Sequence, residues 1–198
     1  MAVIRRSQGL TLPYGTRVGV APCSNVETKA RCADQADLAR RAAAMGARYE
    51  GRLTQVDTYF LASTGRLKLR ELVHRRPDGG SHAEAELIAY ERPDKTGPRV
   101  SRYERTPVTD PAALKRRFER EHGIRGVVRK QRELWLAGAT RIHLDAVEGL
   151  GCFVELETVA AGAPGERERA EHDRIARALA IDRSQTIEGS YVDLLELE

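Results

Sequence analysis

Polar and charged side chains occupy every second position in a short stretch near the N-terminus. They alternate there with small or apolar residues, and they are Asn25, Glu27, Lys29 and Arg31. A spacing of two predicts a β-strand that presents all four side chains on one face. For a strand taken alone, a charged face in water is the commoner explanation, because most charged side chains are solvated.

The same spacing returns in four later stretches, and this recurrence favours a shared polar cavity. Residues 65–71 and 127–132 each carry a Lys-x-Arg pattern. Residues 141–145 carry three alternating polar side chains, and residues 153–157 carry a Glu-x-Glu pattern. We therefore expect an antiparallel sheet closed on itself, with a polar lumen and a packed outer surface.

Such a lumen would collect many cations together with a smaller acidic set. The basic residues are Lys29, Arg31, Lys68, Arg70, Arg92, Lys130, Arg132 and Arg141. The acidic residues are Glu27, Asp145, Glu155 and Glu157. Eight cations in one cavity repel one another until a ligand with several negative charges binds, and phosphate oxygens accept paired bonds from arginine. The sequence therefore predicts a polyanion site.

Carboxylates beside these cations indicate a metal ion. Three carboxylates on two strands would suit Mg²⁺ or Mn²⁺, because these ions prefer oxygen ligands. Cations combined with a carboxylate-held metal are the usual parts of phosphoryl or nucleotidyl transfer. The candidates for a catalytic role are Lys29 and Asp145. For Asp145 a second interpretation, a salt-bridge partner within the lumen, is equally open.

Other chemistries have weaker support in the sequence. His143 is expected to be a hydrogen-bonded barrel residue rather than a metal ligand, because no second His or Cys stands at ligand spacing. The chain has no glycine-rich loop of the P-loop or dinucleotide-binding type. Aromatic residues make up only 5% of it, too few for a platform that stacks single-stranded nucleic acid. A net charge of +4 permits an anionic partner without identifying it.

Length and cysteine content limit which class of protein this can be. The 198 residues fit one domain, taken as residues 21–198, after a weakly ordered extension of residues 1–20. Three cysteines without metal-ligand spacing indicate reduced thiols in a cytoplasmic protein: Cys23, Cys32 and Cys152. No apolar run is long enough to span a membrane, and no secretory signal is recognised.

The turn and periodicity signals predict how these strands are connected. Eight strands are expected at about 25–31, 49–61, 66–74, 83–92, 100–105, 124–136, 140–147 and 152–159. Helices are expected at about 34–45, 110–121 and 166–181, and residues 191–195 are expected to pack back on the body. Because the helices lie between hairpins, the predicted fold class is α+β, an eight-stranded antiparallel β-barrel with helices packed outside.

Taken in order, these segments resemble the CYTH superfamily of triphosphate tunnel metalloenzymes, which includes class IV adenylate cyclases and thiamine triphosphatases. The resemblance covers residues 25–195 and is nearest to bacterial proteins of the class IV adenylate cyclase type. The family's Glu-x-Glu-x-Lys strand appears as Asn25-Val26-Glu27-Thr28-Lys29. The other similar segments are Asp57-Thr58-Tyr59-Phe60, Arg66-Leu67-Lys68-Leu69-Arg70-Glu71, Val128-Arg129-Lys130-Gln131-Arg132, Thr140-Arg141-Ile142-His143-Leu144-Asp145 and Leu150-Gly151-Cys152-Phe153-Val154-Glu155-Leu156-Glu157.

The resemblance implies an eight-stranded tunnel, a divalent metal and a triphosphate substrate. By position it implies that Glu27, Glu155 and Glu157 hold metal. It assigns the phosphates to Lys29, Lys68, Arg70, Lys130 and Arg132, joined by Arg31, Arg92 and Arg141. Two departures bear on activity. Asn25 replaces the first glutamate, which leaves one or two metals open, and the His-Phe pair of some class IV cyclases is replaced by Pro22 and Cys23.

Three functions are compatible with this pattern. The first is an adenylate cyclase that converts ATP to cyclic AMP and pyrophosphate. The second is a triphosphatase acting on inorganic tripolyphosphate, thiamine triphosphate or a nucleoside triphosphate. The third is a binder of polyphosphate or nucleotide without catalysis. A specific nucleic-acid partner is not expected, because the basic residues are assigned to a lumen, and a homodimer is implied by the resemblance alone.

Overall fold

Eight β-strands and four α-helices make up the part of the chain that the computed structural model describes, residues 24–63, 65–91 and 102–196. The strands are β1 Ser24–Arg31, β2 Arg48–Phe60, β3 Arg66–Arg75, β4 Ser81–Glu91, β5 Arg102–Pro107, β6 Ile124–Ala137, β7 Thr140–Val147 and β8 Gly151–Ala160. The helices are α1 Gln35–Ala44, α2 Pro111–His122, α3 Glu166–Ala178 and α4 Tyr191–Leu195. The predicted extension of residues 1–20 lies outside the described residues.

All neighbouring strands pair antiparallel in the order β1-β8-β7-β6-β2-β3-β4-β5. Side chains from every strand line one cavity, so the sheet curves around a tunnel. Within the described residues, no backbone pairing joins the outermost strands β1 and β5. The predicted α+β antiparallel tunnel with outer helices is confirmed, and its curvature is achieved without a continuous ring of hydrogen bonds.

The apolar core lies between the outer face of the sheet and the helices. Beneath α1 and α3 it contains Ile142, Leu144, Val154 and Leu156, all almost fully buried. A second cluster under α2 centres on Phe118, which packs 5.3 Å from the ring of Phe60. Burial of each such side chain contributes about 1.5–3 kcal/mol. The helices thus hold the strands in place while the opposite sheet face stays free for polar side chains.

One end of the tunnel is filled by α4. Its Tyr191 and Val192 pack against Tyr59, Val128 and Phe153, which share the lumen face with the charged residues of their strands. The helix is anchored by its next residue, since the Asp193 carboxylate accepts bonds from Arg66 and Arg125, each at 2.7 Å. The prediction that residues 191–195 pack back on the body is therefore confirmed.

Helix boundaries agree closely with the sequence signals. The side chain of Asp34 caps α1 by accepting a bond from Asp37 N at 3.0 Å, and Asp110 caps α2 in the same way. The third helix ends at Ala178, earlier than predicted, and Ala180 then adopts a positive φ of 51°. None of the helices in the described residues is long and apolar enough to cross a membrane.

Candidate active site

The tunnel encloses a cavity of about 460 Å³ lined by both signs of charge. The basic lining residues are Lys29, Lys68, Arg70, Arg105, Lys130, Arg132 and Arg141. The acidic lining residues are Glu27, Asp57, Glu84, Glu155 and Glu157. Nine of the predicted site residues therefore meet in one place, because alternation along each strand turns them to the lumen face. Arg105 and Asp57 belong to this lining but were not predicted as site residues.

Arg31 does not join this set. Arg31 is exposed, and its Nη1 donates to the carbonyl oxygen of Leu150 at 3.1 Å. Its partner in the strand register is Phe153, which fills the lumen together with Tyr191, so the guanidinium has no route into the cavity. Arg92 lies outside the described residues.

A buried aspartate on β2 holds two of the predicted phosphate-binding cations. Lys68 Nζ lies 2.7 Å from Asp57 Oδ2, while Arg70 donates to both carboxylate oxygens at 2.9 and 3.0 Å. Gln55 Nε2 adds a third donor at 3.0 Å. Burial alone would raise the pKa of Asp57, but the charges of Arg70 and Lys68 outweigh it and hold this pKa well below its usual range. Asp57 thus fixes both cations in position.

Asp145 on β7 is the counter-ion of two further cations, as Asp57 is on β2. Lys130 Nζ lies 2.8 Å from Oδ2, and Arg132 donates to both oxygens at 2.6 Å. The Tyr191 hydroxyl donates to Oδ2 at 2.9 Å, and the carboxylate is fully buried. Burial would raise the pKa of Asp145, but Arg132 and Lys130 lower it. Of the two interpretations that the sequence left open, these contacts favour the salt-bridge partner.

The paired aspartates change the electrostatic picture of the empty tunnel. Without them the four cations of β3 and β6 would face one another unneutralised. Even so, burial and the charge of Arg70 lower the pKa of Lys68 to about 7, from an ordinary value of 10.5. Burial and Arg132 also lower the pKa of Lys130. A bound polyanion would stabilise the charged form of both lysines.

Tripolyphosphate binding is therefore expected to draw a proton onto Lys68. Between about pH 7 and 10.5 the empty tunnel holds this amine largely neutral, whereas an anion stabilises its charged form. Affinity should fall as the pH rises above 7, by at most about tenfold per pH unit for one proton. Calorimetry at pH 8 in buffers of different ionisation enthalpy measures the proton uptake.

Lys68→Arg serves as the comparison, because a guanidinium stays charged at this pH. Protonation of the ligand itself is common to both proteins and cancels in the difference. Proton uptake that is equal in the wild type and in Lys68→Arg would contradict the assignment.

The acidic side of the tunnel is formed by β1, β7 and β8. Glu155 Oε1 lies 2.7 Å from Lys29 Nζ, and its Oε2 accepts a bond from Arg132. Glu157 lies opposite Glu27 in the strand register and 3.8 Å from Arg141. Burial would raise the pKa values of Glu155 and Glu157. Lys29 and Lys130 outweigh it at Glu155, His143 and Arg132 outweigh it at Glu157, and both pKa values lie below their ordinary value.

These residues fit a divalent ion. Ligand atoms of His143, Glu155 and Glu157 lie within 4.8 Å of one another. The Oδ1 atom of Asn25, buried on the same side, has no hydrogen-bond partner in the described residues. His143 Nδ1 also has none within hydrogen-bond distance there, so whether this histidine is a hydrogen-bonded barrel residue or a metal ligand stays a prediction. An ion here would find ionised carboxylates and an unpaired nitrogen.

The fold matches solved structures over most of the chain. It is similar to the PH1012 protein from Pyrococcus horikoshii OT3, with 24% identity, a TM-score of 0.71, and coverage of 86% of this chain and 98% of that one. A candidate adenylate cyclase from Vibrio parahaemolyticus has 19% identity, a TM-score of 0.65, and coverage of 87% and 98%. HpAC1 from Hippeastrum, a candidate adenylyl cyclase reported with a dominant triphosphatase activity, has 15% identity, a TM-score of 0.57, and coverage of 87% and 95%. At these identities the likeness shows a shared fold.

The comparison with curated proteins found no significant match. A family model described as the CYTH domain matches residues 24–191, the span over which the eight strands and the start of α4 build the tunnel. Since that match reaches from the first lining strand to the helix that fills the tunnel's end, the chain belongs to the CYTH family.

Proposed function

We propose that the protein cleaves a phosphoanhydride bond of a triphosphate bound in the tunnel, with the help of a divalent metal ion. The observation that carries this proposal is the facing arrangement of Lys68, Arg70, Lys130 and Arg132 across from ionised carboxylates in a single cavity. A chain of three phosphates carries negative charge along its length, which suits cations spaced along several strands. The CYTH family comprises triphosphate-processing enzymes, in agreement with this chemistry.

The cations bind and orient the substrate. Arg132 and Arg70 present planar guanidinium groups, which bind phosphate oxygens in pairs, while the buried lysines act as point charges. Asp57 and Asp145 hold these four side chains in their bound geometry before substrate enters. Little reorganisation is then needed when charge develops on the phosphates, which is the main protein contribution to phosphoryl transfer.

Glu27, Glu155 and Glu157 are the residues that would hold the metal, and Asn25 offers a neutral oxygen beside them. When bound, a divalent ion there supplies Lewis-acid neutralisation of phosphate oxygens. Lys29 lies between the two halves, since its Nζ contacts Glu155 at 2.7 Å and stands 4.0 Å from the centre of the Tyr191 ring. We assign Lys29 to substrate phosphate binding, because it lies between the carboxylates of β8 and the cations of β3 and β6.

Two reactions share this machinery. A cyclase directs the ribose 3′-hydroxyl of ATP at the α-phosphorus and releases pyrophosphate, whereas a triphosphatase directs water at the terminal phosphorus. The sequence segments of the class IV cyclase type favour the first. The triphosphatase activity reported for HpAC1, a protein of similar fold, favours the second as the alternative.

Glu27→Gln is expected to lower metal-dependent turnover by about 10²-fold, because a carboxylate ligand is worth several kcal/mol of charge stabilisation. Tripolyphosphate binding measured without metal should change little, since the cations remain. Glu133→Gln is the matched control, because Glu133 lies on the outer face of β6 and bonds Arg52 at 2.8 Å. Undiminished turnover in Glu27→Gln would contradict the metal assignment.

A further inference from the structure

The imidazole of His143 points into the gap between two tunnel carboxylates. Its Nδ1 lies 3.8 Å from Glu155 Oε2 and 3.8 Å from Glu157 Oε1. These distances are too long for hydrogen bonds. The side chain is only 6% exposed, so water has little access to this nitrogen.

Nδ1 of His143 is a buried polar atom without a hydrogen-bond partner anywhere in the described residues. Such atoms are rare, because an unpaired buried polar group is costly, and each one calls for a missing partner. Carboxylate oxygens of two residues, each 3.8 Å from this nitrogen, favour a cation as that partner. A hydrogen-bonding neutral molecule would not explain why three ligand atoms converge here.

We infer that His143 Nδ1 joins the carboxylates assigned to the metal, closest to those of Glu155 and Glu157, and that the site therefore binds a first-row transition-metal ion, such as Mn²⁺, Co²⁺ or Zn²⁺, in preference to Mg²⁺. Mg²⁺ favours an all-oxygen octahedron, whereas an imidazole nitrogen favours the transition ions. Two ligands about 2.1 Å from one ion stand roughly 3.0–3.4 Å apart at ordinary coordination angles. The 3.8 Å separations reach this range with a small side-chain movement.

The strand register holds these ligands in place. His143 lies directly opposite Glu155 on the neighbouring strand, and Glu157 is two residues further along β8. Cross-strand and diagonal neighbours are within reach of one another on the same sheet face. The site is therefore built on paired strands, which position ligands more accurately than loops do.

The cations near the site leave room for the ion. Glu155 already contacts Lys29 and Arg132, but each carboxylate oxygen carries two lone pairs and accepts a second partner. Glu157 is less engaged, with Arg141 at 3.8 Å.

The inference concerns the ion that the proposed function would use, and it is tested by binding to the purified protein without substrate. A protein that binds Mn²⁺ through His143 but turns over no triphosphate would leave the inference standing and remove the proposed function. Turnover with Mg²⁺ alone, with no nitrogen ligand on the bound ion, would support the proposed function and remove the inference about His143.

The probe is Mn²⁺, followed by electron paramagnetic resonance at pH 7.5. Pulsed measurements on the wild type should show coupling of the bound ion to a ¹⁴N nucleus, and Mg²⁺ should displace the ion only at about tenfold excess or more. His143→Gln should remove the ¹⁴N coupling and weaken Mn²⁺ binding at least about tenfold. Glu157→Gln should weaken binding as well, which identifies the carboxylate partner.

His82→Gln is the matched control, because His82 lies opposite His74 at the mouth of the same cavity and is 62% exposed. It should retain the ¹⁴N coupling. Coupling that persists in His143→Gln, or that disappears in His82→Gln, would overturn the inference. So would equal affinity for Mg²⁺ and Mn²⁺ in the wild type. A thermal melt of each variant confirms that loss of binding is not loss of fold.

Discussion

Arg132→Ala is expected to lower kcat/KM for the triphosphate substrate by about 10³-fold. Arginine groups that stabilise charge on a transferring phosphoryl group have effects of this size. Arg132 is the link between the two halves of the tunnel, because it bonds Asp145 at two atoms and also Glu155. Steady-state kinetics with the preferred substrate measures the loss, and calorimetric binding of tripolyphosphate should weaken in parallel.

Arg129→Ala provides the control for this variant. Arg129 lies on the same strand but is exposed on the outer face, away from the cavity lining. Its kinetics should match the wild type. If Arg132→Ala folds and retains wild-type kinetics, β6 does not belong to the site.

Asp145→Asn is expected to destabilise the empty protein by about 3–5 kcal/mol, because it removes the carboxylate that pairs with buried Lys130 and leaves Arg132 with Glu155 alone. Lys130 and Arg132 are each less than 8% exposed at the side chain and are neighbours on the lumen face of β6. A bound triphosphate supplies the missing negative charge. Tripolyphosphate should therefore raise the melting temperature of Asp145→Asn by more than it raises that of the wild type.

Asp37→Asn is the comparison, since Asp37 forms only exposed ion pairs with Arg40 and Arg41 on α1. Its melting temperature should be nearly unchanged. A variant Asp145→Asn that is as stable as the wild type, or that gains no extra stabilisation from tripolyphosphate, would show that Asp145 is not the counter-ion of these cations.

Most of the architecture follows from local patterns. Alternation with a period of two places Lys68, Arg70, Lys130 and Arg132 on one sheet face whatever the rest of the chain does. Turn residues and helix caps are local signals too, and Asp34 shows how closely they locate a helix start. This explains why the strands, the helices and most lining residues were predictable from the sequence.

The roles of individual side chains depended on contacts between distant segments. Asp57 alternates with Gln55 and Tyr59 in the sequence, but its function as a counter-ion appears only once the register sets it opposite Arg70. Arg31 has the right type and spacing for the lumen, yet Phe153 and Tyr191 fill the space that it would need. The sequence pattern predicts neither the counter-ion role of Asp57 nor the exclusion of Arg31 from the lumen.

His143 is the clearest case of a property that only tertiary structure reveals. Its sequence neighbours include no second ligand at the usual spacing, so the pattern favours an ordinary barrel residue. The two carboxylates that flank its nitrogen come from a neighbouring strand. An unpaired buried atom can be recognised only after every surrounding group has been placed.

Product analysis with the purified protein is the decisive test of the proposed catalysis. ATP, tripolyphosphate and thiamine triphosphate are each incubated with Mn²⁺ or Mg²⁺, and the products are separated, with Arg132→Ala as the control for contaminating activity. We expect metal-dependent cleavage of at least one substrate. Cyclic AMP with pyrophosphate would identify a cyclase, and orthophosphate would identify a triphosphatase. No product from any of the three, while tripolyphosphate still binds, would contradict catalysis and leave a polyphosphate-binding protein.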